Sequence, residues 1–330
     1  MQSDVGERTR PRGRSLWVWV RVAVSASILG LLVWRLGADA FLDPLQRIDG
    51  WSLAAAVGIA VPTTVCCAWR WRLVSRGLGS DVPMKAAVAA YYRSQFLNTV
   101  LPGGVLGDVN RAVRHGRDVG DVGHGLRAVA WERTAGQVVQ VALTIVILLL
   151  LPSPVHAVMP AVAGTVVALL ACAVLLGRAL PRRVPARLAR FARLLVSDVR
   201  EGLLGRRAWP GVALASILVV VGHTTTFLIA AHTAGSDTSL SRMLPLALLV
   251  LMAMSVPTNI AGWGPREGVA AWAFAVAGLG AAQGIATTVV YGVMAIVATL
   301  PGAALLMASS LRPRPVAVRA TVARRTRSSG

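Results

Sequence analysis

The 330-residue chain is short of charge and shorter still of acid. Charged residues make up 15%, with only 14 Asp and Glu against 34 Lys and Arg. A soluble domain carries about a quarter charged residues. One that is 55% apolar would expose large apolar patches and aggregate. Composition therefore excludes a disordered chain and an ordinary soluble enzyme, and it favours a polytopic membrane protein. Cysteine is scarce too. Cys66, Cys67 and Cys172 form an odd set inside apolar runs, with no C-x-x-C spacing. That excludes a secreted disulfide scaffold and gives no support to a zinc site; the three read as packing residues. Lysine occurs once, at Lys85 after Met84, so there is no Walker A loop. The H-E-x-x-H, G-x-S-x-G, dinucleotide and D-x-D patterns are also missing. The longest soluble stretch, 178–208, is far too short for a catalytic domain. Its part Arg187–Leu204 reads as a basic amphipathic helix on the membrane surface. No cofactor or metal is expected.

What the chain has is apolar runs. A span needs about 20 apolar residues. Leu16–Leu36, Trp51–Trp69, Arg133–Leu151, Val155–Arg178, Trp209–Ala231 and Gln283–Ser309 are long enough. The first of these has the basic start and the Ala38-Asp39-Ala40 sequence of a signal peptide, but Arg35 and its length suit an uncleaved anchor. Two further runs are interrupted. One extends from about Ala86 to Leu101 and breaks at Pro102-Gly103-Gly104. The other has halves Met243–Val256 and Gly268–Leu279, separated by Pro257–Arg266. The fold class expected is all-α and polytopic, with about six full spans and two broken or re-entrant elements.

The net charge of +20 could suggest nucleic acid, but its placement argues otherwise. Of the 34 Lys and Arg, 28 fall in five segments: the N-terminus to Arg21, 70–85 (Arg70, Arg72, Arg76, Lys85), 107–127, 178–208 and the tail after 309. The remaining loops hold Asp39, Asp43, Asp49 and Asp237. This is the positive-inside pattern, and it puts both termini in the cytoplasm of a plasma-membrane protein. No nucleic-acid partner is expected. The tails are 1–15 and 311–330, around a membrane domain at 16–310.

Segments 70–85 and 107–127 would then both be cytoplasmic, so the run between them enters and returns on that side. The second broken run returns on the external side. The halves, roughly 51–151 and 209–309, look related. Trp51 and Trp209 open matching spans, an offset of 158, and Pro102 and Pro257 mark the breaks, an offset of 155. At the breaks, Pro102, Gly107 and Arg111 match Pro257, Gly262 and Arg266. An inverted repeat with a mid-membrane substrate site is one reading. An eight-span bundle with two kinks is the other. The polar run Ala112–Gly125 tells against a buried half-helix and suggests an interfacial loop.

Ionisable groups near apolar runs mark candidate sites. The acids are Asp108, Glu132 and Glu267, and the cations are Arg93, Arg111, Arg133 and Arg266. Tyr91, Gln95 and Asn98 share one helix face at i, i+4, i+7. They face protein or water, as substrate ligands or as interhelical hydrogen bonds. The glycines of Leu101–Arg111 allow unwound backbone, whose N–H groups can join Arg111 in holding a phosphate. A sharp turn with a salt bridge is the alternative. Asn259, Arg266 and Glu267 form a similar set, with Trp263 a plain interfacial anchor. His223, inside the fifth span, is a proton carrier or a packing group.

These residues carry a resemblance. Tyr92-x-x-Gln95-x-x-Asn98-x-x-Leu101-Pro102-Gly103-Gly104-x-x-Gly107-Asp108-x-x-Arg111, then Glu132-Arg133, then Gly262-x-Gly264-Pro265-Arg266-Glu267 resembles the lysylphosphatidylglycerol synthase transmembrane-region family, the flippase-like domain proteins. The resemblance covers roughly 16–310. It implies a membrane module that handles a phospholipid or lipid-linked glycan. In the best-known members that module is joined to a cytoplasmic aminoacyl-transfer domain, which this sequence does not show, so lipid aminoacylation by this chain alone is not expected. The expectation is that an anionic phospholipid or lipid-linked intermediate sits between the breaks. Tyr91, Gln95, Asn98, Gly103, Gly104, Asp108, Arg111, Glu132, Arg133, Asn259, Arg266 and Glu267 would form the site. Arg111 and Arg266 would hold the headgroup, and the three acids would pair the cations while the site is empty. The alternatives are a membrane-embedded transferase with Asp108 or Glu132 as base, and an accessory subunit of a separate lipid aminoacyl- or glycosyl-transferase.

Overall fold

The computed structural model describes residues 27–28, 30–101, 104–179, 194–203, 205, 208–255 and 264–311. Among these no strand occurs. The helices are α1 Asp39–Gln46, α2 Gly50–Gly77, α3 Met84–Val100, α4 Leu106–Asp118, α5 Val122–Leu150, α6 Met159–Ala179, α7 Trp209–Thr233, α8 Leu240–Met254, α9 Pro265–Val276 and α10 Ala281–Leu311. Local chemistry sets several of their ends. Asp49 caps α2 by accepting from the Ser52 N–H at 2.9 Å. Pro265 opens α9, and Glu267 reaches back to the Gly264 N–H at 2.6 Å. Gly264 itself sits at φ +121°, a conformation open to glycine.

Four described helices are long and apolar enough to cross a membrane: α2, α5, α7 and α10. The expected first span lies mostly outside the described residues. Its last turns, at 30–36, are helical, and Leu32 and Leu36 pack against Ala271, Ile285 and Val289. Helices α3 and α4 have 17 and 13 residues, about 26 and 20 Å at 1.5 Å per residue. Neither reaches the roughly 30 Å of a hydrocarbon core. They fold back on each other as an antiparallel hairpin: Ser94 and Asn98 meet Asp108, and Arg111 lies over Tyr91.

Two expectations need correction. Residues 70–76 are not loop, because α2 continues to Gly77 and buries Arg70 at 4% exposure. The polar run Ala112–Gly125 is not an interfacial loop either. It forms the end of α4 and the start of α5, with Ala112, His115, Gly116 and Gly125 buried. Hydrophobicity alone makes that run look too polar to pack, but its Arg114, Arg117 and Asp118 are exposed, while the buried His115 lies 3.2 Å from Ser80 Oγ.

The architecture repeats. Helices α2 to α5 have 28, 17, 13 and 29 residues, and α7 to α10 have 25, 15, 12 and 31. Packing survives exchange of the halves. Helix α2 meets α7; α2 meets α10 as α7 meets α5; α3 meets α10 as α8 meets α5. Along the central crossing, Thr63 lies at Gly222 and Leu73 at Gly211, so α2 and α7 are antiparallel and the repeat is inverted. One close approach occurs twice. A Cβ on Gly125 would strike the Ala112 carbonyl, and one on Gly284 the Ala270 carbonyl, offsets of 159 (125 to 284) and 158 (112 to 270). This register corrects the sequence match at the breaks. Counted from the helix starts, Asp108 and Glu267 both stand third, so Arg111 falls opposite Ala270 rather than Arg266.

Candidate functional site

The first hairpin and the central crossing enclose a dense ionic cluster. Glu132 on α5 is fully buried. Its Oε1 accepts from Arg70 Nε at 2.9 Å and from the Tyr91 hydroxyl at 3.1 Å, and its Oε2 accepts from Arg111 Nη2 at 2.9 Å. Asp108 accepts from Ser94 Oγ at 2.9 Å, Asn98 Nδ2 at 3.0 Å, Arg111 Nη2 at 3.0 Å and Arg133 Nη2 at 2.8 Å. Arg70 also donates to Ser216 on α7 at 3.2 Å, tying the two halves together. The Arg111 guanidinium lies over the rings of Trp71 and Tyr91, 4.7 and 4.2 Å from their centroids. Enclosing Arg70, Arg111, Asp108 and Glu132 this deeply is affordable only because each carboxylate is saturated with donors. Three arginines and two carboxylates leave a formal charge of +1.

Beside this cluster lies a cavity of about 430 Å³, within the usual range for a small-molecule site. Gly104 and Val105, at the tip of the first hairpin, form one wall, and Leu251, Met254 and Ser255, at the end of α8, form another. Helix α5 contributes Arg133, Gln137 and Gln140; Arg70, Tyr91, Gln95, Asp108, Ser216, His223 and Tyr291 complete the polar lining. Gly104 has φ +62°, which lets the tip turn against the cavity. Arg133 is 43% exposed here, and its Nε is buried without a hydrogen-bond partner.

Of the expected residues, Tyr91, Gln95, Gly104, Asp108 and Arg133 line this cavity. Glu132 and Arg111 stand behind its wall. Asn98 bridges the hairpin, bonding Asp108 and accepting from the Gly107 N–H at 2.8 Å. Arg266 and Glu267 are brought together, Nε to Oε1 at 2.7 Å, both buried. They too stand off the wall, with Arg266 reaching toward the Tyr291 ring at 6.0 Å. Gly103 and Asn259 lie outside the described residues. The residues that sequence reasoning missed are Arg70, Gln137, Gln140, Ser216 and Tyr291. One signal was available: Arg133, Gln137 and Gln140 repeat the i, i+4, i+7 spacing of Tyr91, Gln95 and Asn98. Gly136 allows Arg70 to lie flat against α5, since its Cβ would come within 2.6 Å of Arg70 Nη1.

The family model for the lysylphosphatidylglycerol synthase TM region matches residues 18–302, a stretch that holds the cavity and both repeats up to the last turns of α10. The chain belongs to that family. Membership gives it a membrane location and a role connected with membrane lipids. No curated protein matches the chain.

Proposed function

We propose that the protein binds the anionic headgroup of a phospholipid or lipid-linked intermediate in the central cavity and passes it between the leaflets of the plasma membrane, with both termini cytoplasmic. One observation carries this reading. An arginine cluster of formal charge +1 presents Arg133, 43% exposed, to a cavity of about 430 Å³ at the meeting of two inverted repeats. A guanidinium fork matches a phosphate, and the glutamine amides of α5 suit the hydroxyls or glycan beyond it. Arg70 and Arg133 are the cations in the wall, with Arg111 behind them. Arg266 pairs with Glu267 in the first turn of α9, off the cavity wall. The inverted arrangement supports translocation, because such repeats rock about a fixed midplane site.

The arrangement disfavours a transferase. A carboxylate that accepts from four donors, as Asp108 does, is a poor general base; Glu132 is likewise occupied. An accessory role beside a separate transferase would use the same site. The test is binding of dihexanoyl phosphatidylglycerol and dihexanoyl phosphatidylcholine to purified protein in micelles. The anionic lipid should bind more tightly, and Arg133→Gln should weaken it at least about tenfold, the worth of roughly 1.4 kcal/mol. Equal affinity for the two lipids would refute the reading.

A further inference from the structure

A second, smaller chamber of about 80 Å³ adjoins the central cavity and shares Gln95, His223 and Tyr291 with it. Those three side chains form the partition. Beyond it the chamber is lined by Thr63, Thr64, Thr226 and Thr299 among alanines. Three of these hydroxyls donate to their own helix backbone, Thr63 to Ile59, Thr226 to Gly222 and Thr299 to Ile296. Their oxygens therefore remain acceptors for water, and the chamber has room for a short row of it. In the partition, His223 Nδ1 lies 3.2 Å from the Tyr291 hydroxyl. That bond is available in both protonation states. Neutral Nδ1 accepts from the hydroxyl, and protonated Nδ1 donates to it, so gaining a proton costs no hydrogen bond.

We infer that His223 is a proton-binding site coupled to the headgroup site, so that one proton and one anionic headgroup bind together. This rests on the headgroup reading above. The titratable and charged groups that share the cavity with His223 are Cys67 and Arg70 from α2, Tyr91 from α3, Asp108 from α4, Arg133 from α5 and Tyr291 from α10; Glu132 lies behind Arg70. Helix α8 contributes only Leu251, Met254 and Ser255. With the cavity empty, an imidazolium would add a second net positive charge to a cluster already at +1. A phosphodiester in the cavity reverses that balance and makes protonation favourable. The proton enters through the threonine-lined chamber onto the imidazole and leaves by the same route or with the headgroup. By linkage, whatever the headgroup does for the proton, the proton does for the headgroup.

Dihexanoyl phosphatidylglycerol is the probe, because its phosphodiester does not itself titrate near neutrality. Its affinity should rise by up to about tenfold per pH unit as pH falls between 8 and 5, the slope set by uptake of one proton. A pH-indicator dye in weak buffer should register that proton on mixing. In His223→Gln, binding should become independent of pH. Tyr291→Phe keeps the imidazole but removes its acceptor, and should move the transition to lower pH. A flat profile in the wild type, a slope that survives in His223→Gln, or an unmoved transition in Tyr291→Phe would overturn the inference while leaving the headgroup site intact. Absence of binding at every pH would instead overturn the headgroup reading, and the inference with it.

Discussion

Replacing Glu132 with Gln tests whether the arginine cluster is held by charge or by shape. The side chain is fully buried and anchors Arg70, Tyr91 and Arg111. Glutamine has nearly the same volume, so packing is kept. What changes is that Arg70, Arg111 and Arg133 face one carboxylate instead of two, and the local charge rises from +1 to +2. One amide edge also turns donors toward guanidinium donors. Stripping one partner from a buried ion pair costs about 3–5 kcal/mol. Equilibrium unfolding in mixed micelles under added sodium dodecyl sulfate should show a loss of that size. The double change Glu132→Gln with Arg70→Gln restores +1, so it should be more stable than the sum of the single losses by about 1–3 kcal/mol. A single-mutant loss under about 1 kcal/mol, or strict additivity, would refute the electrostatic account.

Gly136→Ala adds a methyl where the Arg70 guanidinium lies; it should weaken binding of dihexanoyl phosphatidylglycerol several-fold while shifting unfolding by less than about 1.5 kcal/mol. Arg266→Gln strips Glu267 of its cation away from the cavity, so unfolding assays should show a loss of roughly 2–4 kcal/mol, with headgroup affinity in the folded fraction within about twofold of wild type. In a background with Cys66, Cys67 and Cys172 replaced, Asp118→Cys should react with an impermeant maleimide from the cytoplasm and Asp237→Cys from outside. Labelling of both from one side would contradict the opposed hairpins.

The sequence makes the scaffold legible because membrane spans are written in long apolar runs, and Pro102 and Pro257 interrupt the two shorter runs in the sequence. The halves at 51–151 and 209–309 follow from that spacing. The register at the breaks was misread because arginine was matched to arginine. Side-chain identity there is asymmetric, and the conserved geometry lies in the third-position acids, Asp108 and Glu267, and in the Gly125 and Gly284 crossings. The pairing of Asp108 with Arg111 follows from helical spacing alone, three residues apart. Arg70 was hidden for the opposite reason. It stands in a run of arginines that reads as a positive-inside loop, and only the long-range approach of α5 to α2 turns it inward to Glu132. Tyr291 and Ser216 carry no local signal, since their roles arise where the second half crosses the first.

The central claim is that Arg133 and its cluster carry an anionic headgroup across the membrane. Proteoliposomes containing headgroup-labelled phosphatidylglycerol, bleached from outside with dithionite, measure this directly. With wild-type protein the bleached fraction should rise well above the outer-leaflet half, more slowly for labelled phosphatidylcholine, and Arg133→Gln vesicles should stop near half. Bleaching that stays at half with wild-type protein, or that proceeds equally with Arg133→Gln, would contradict the account.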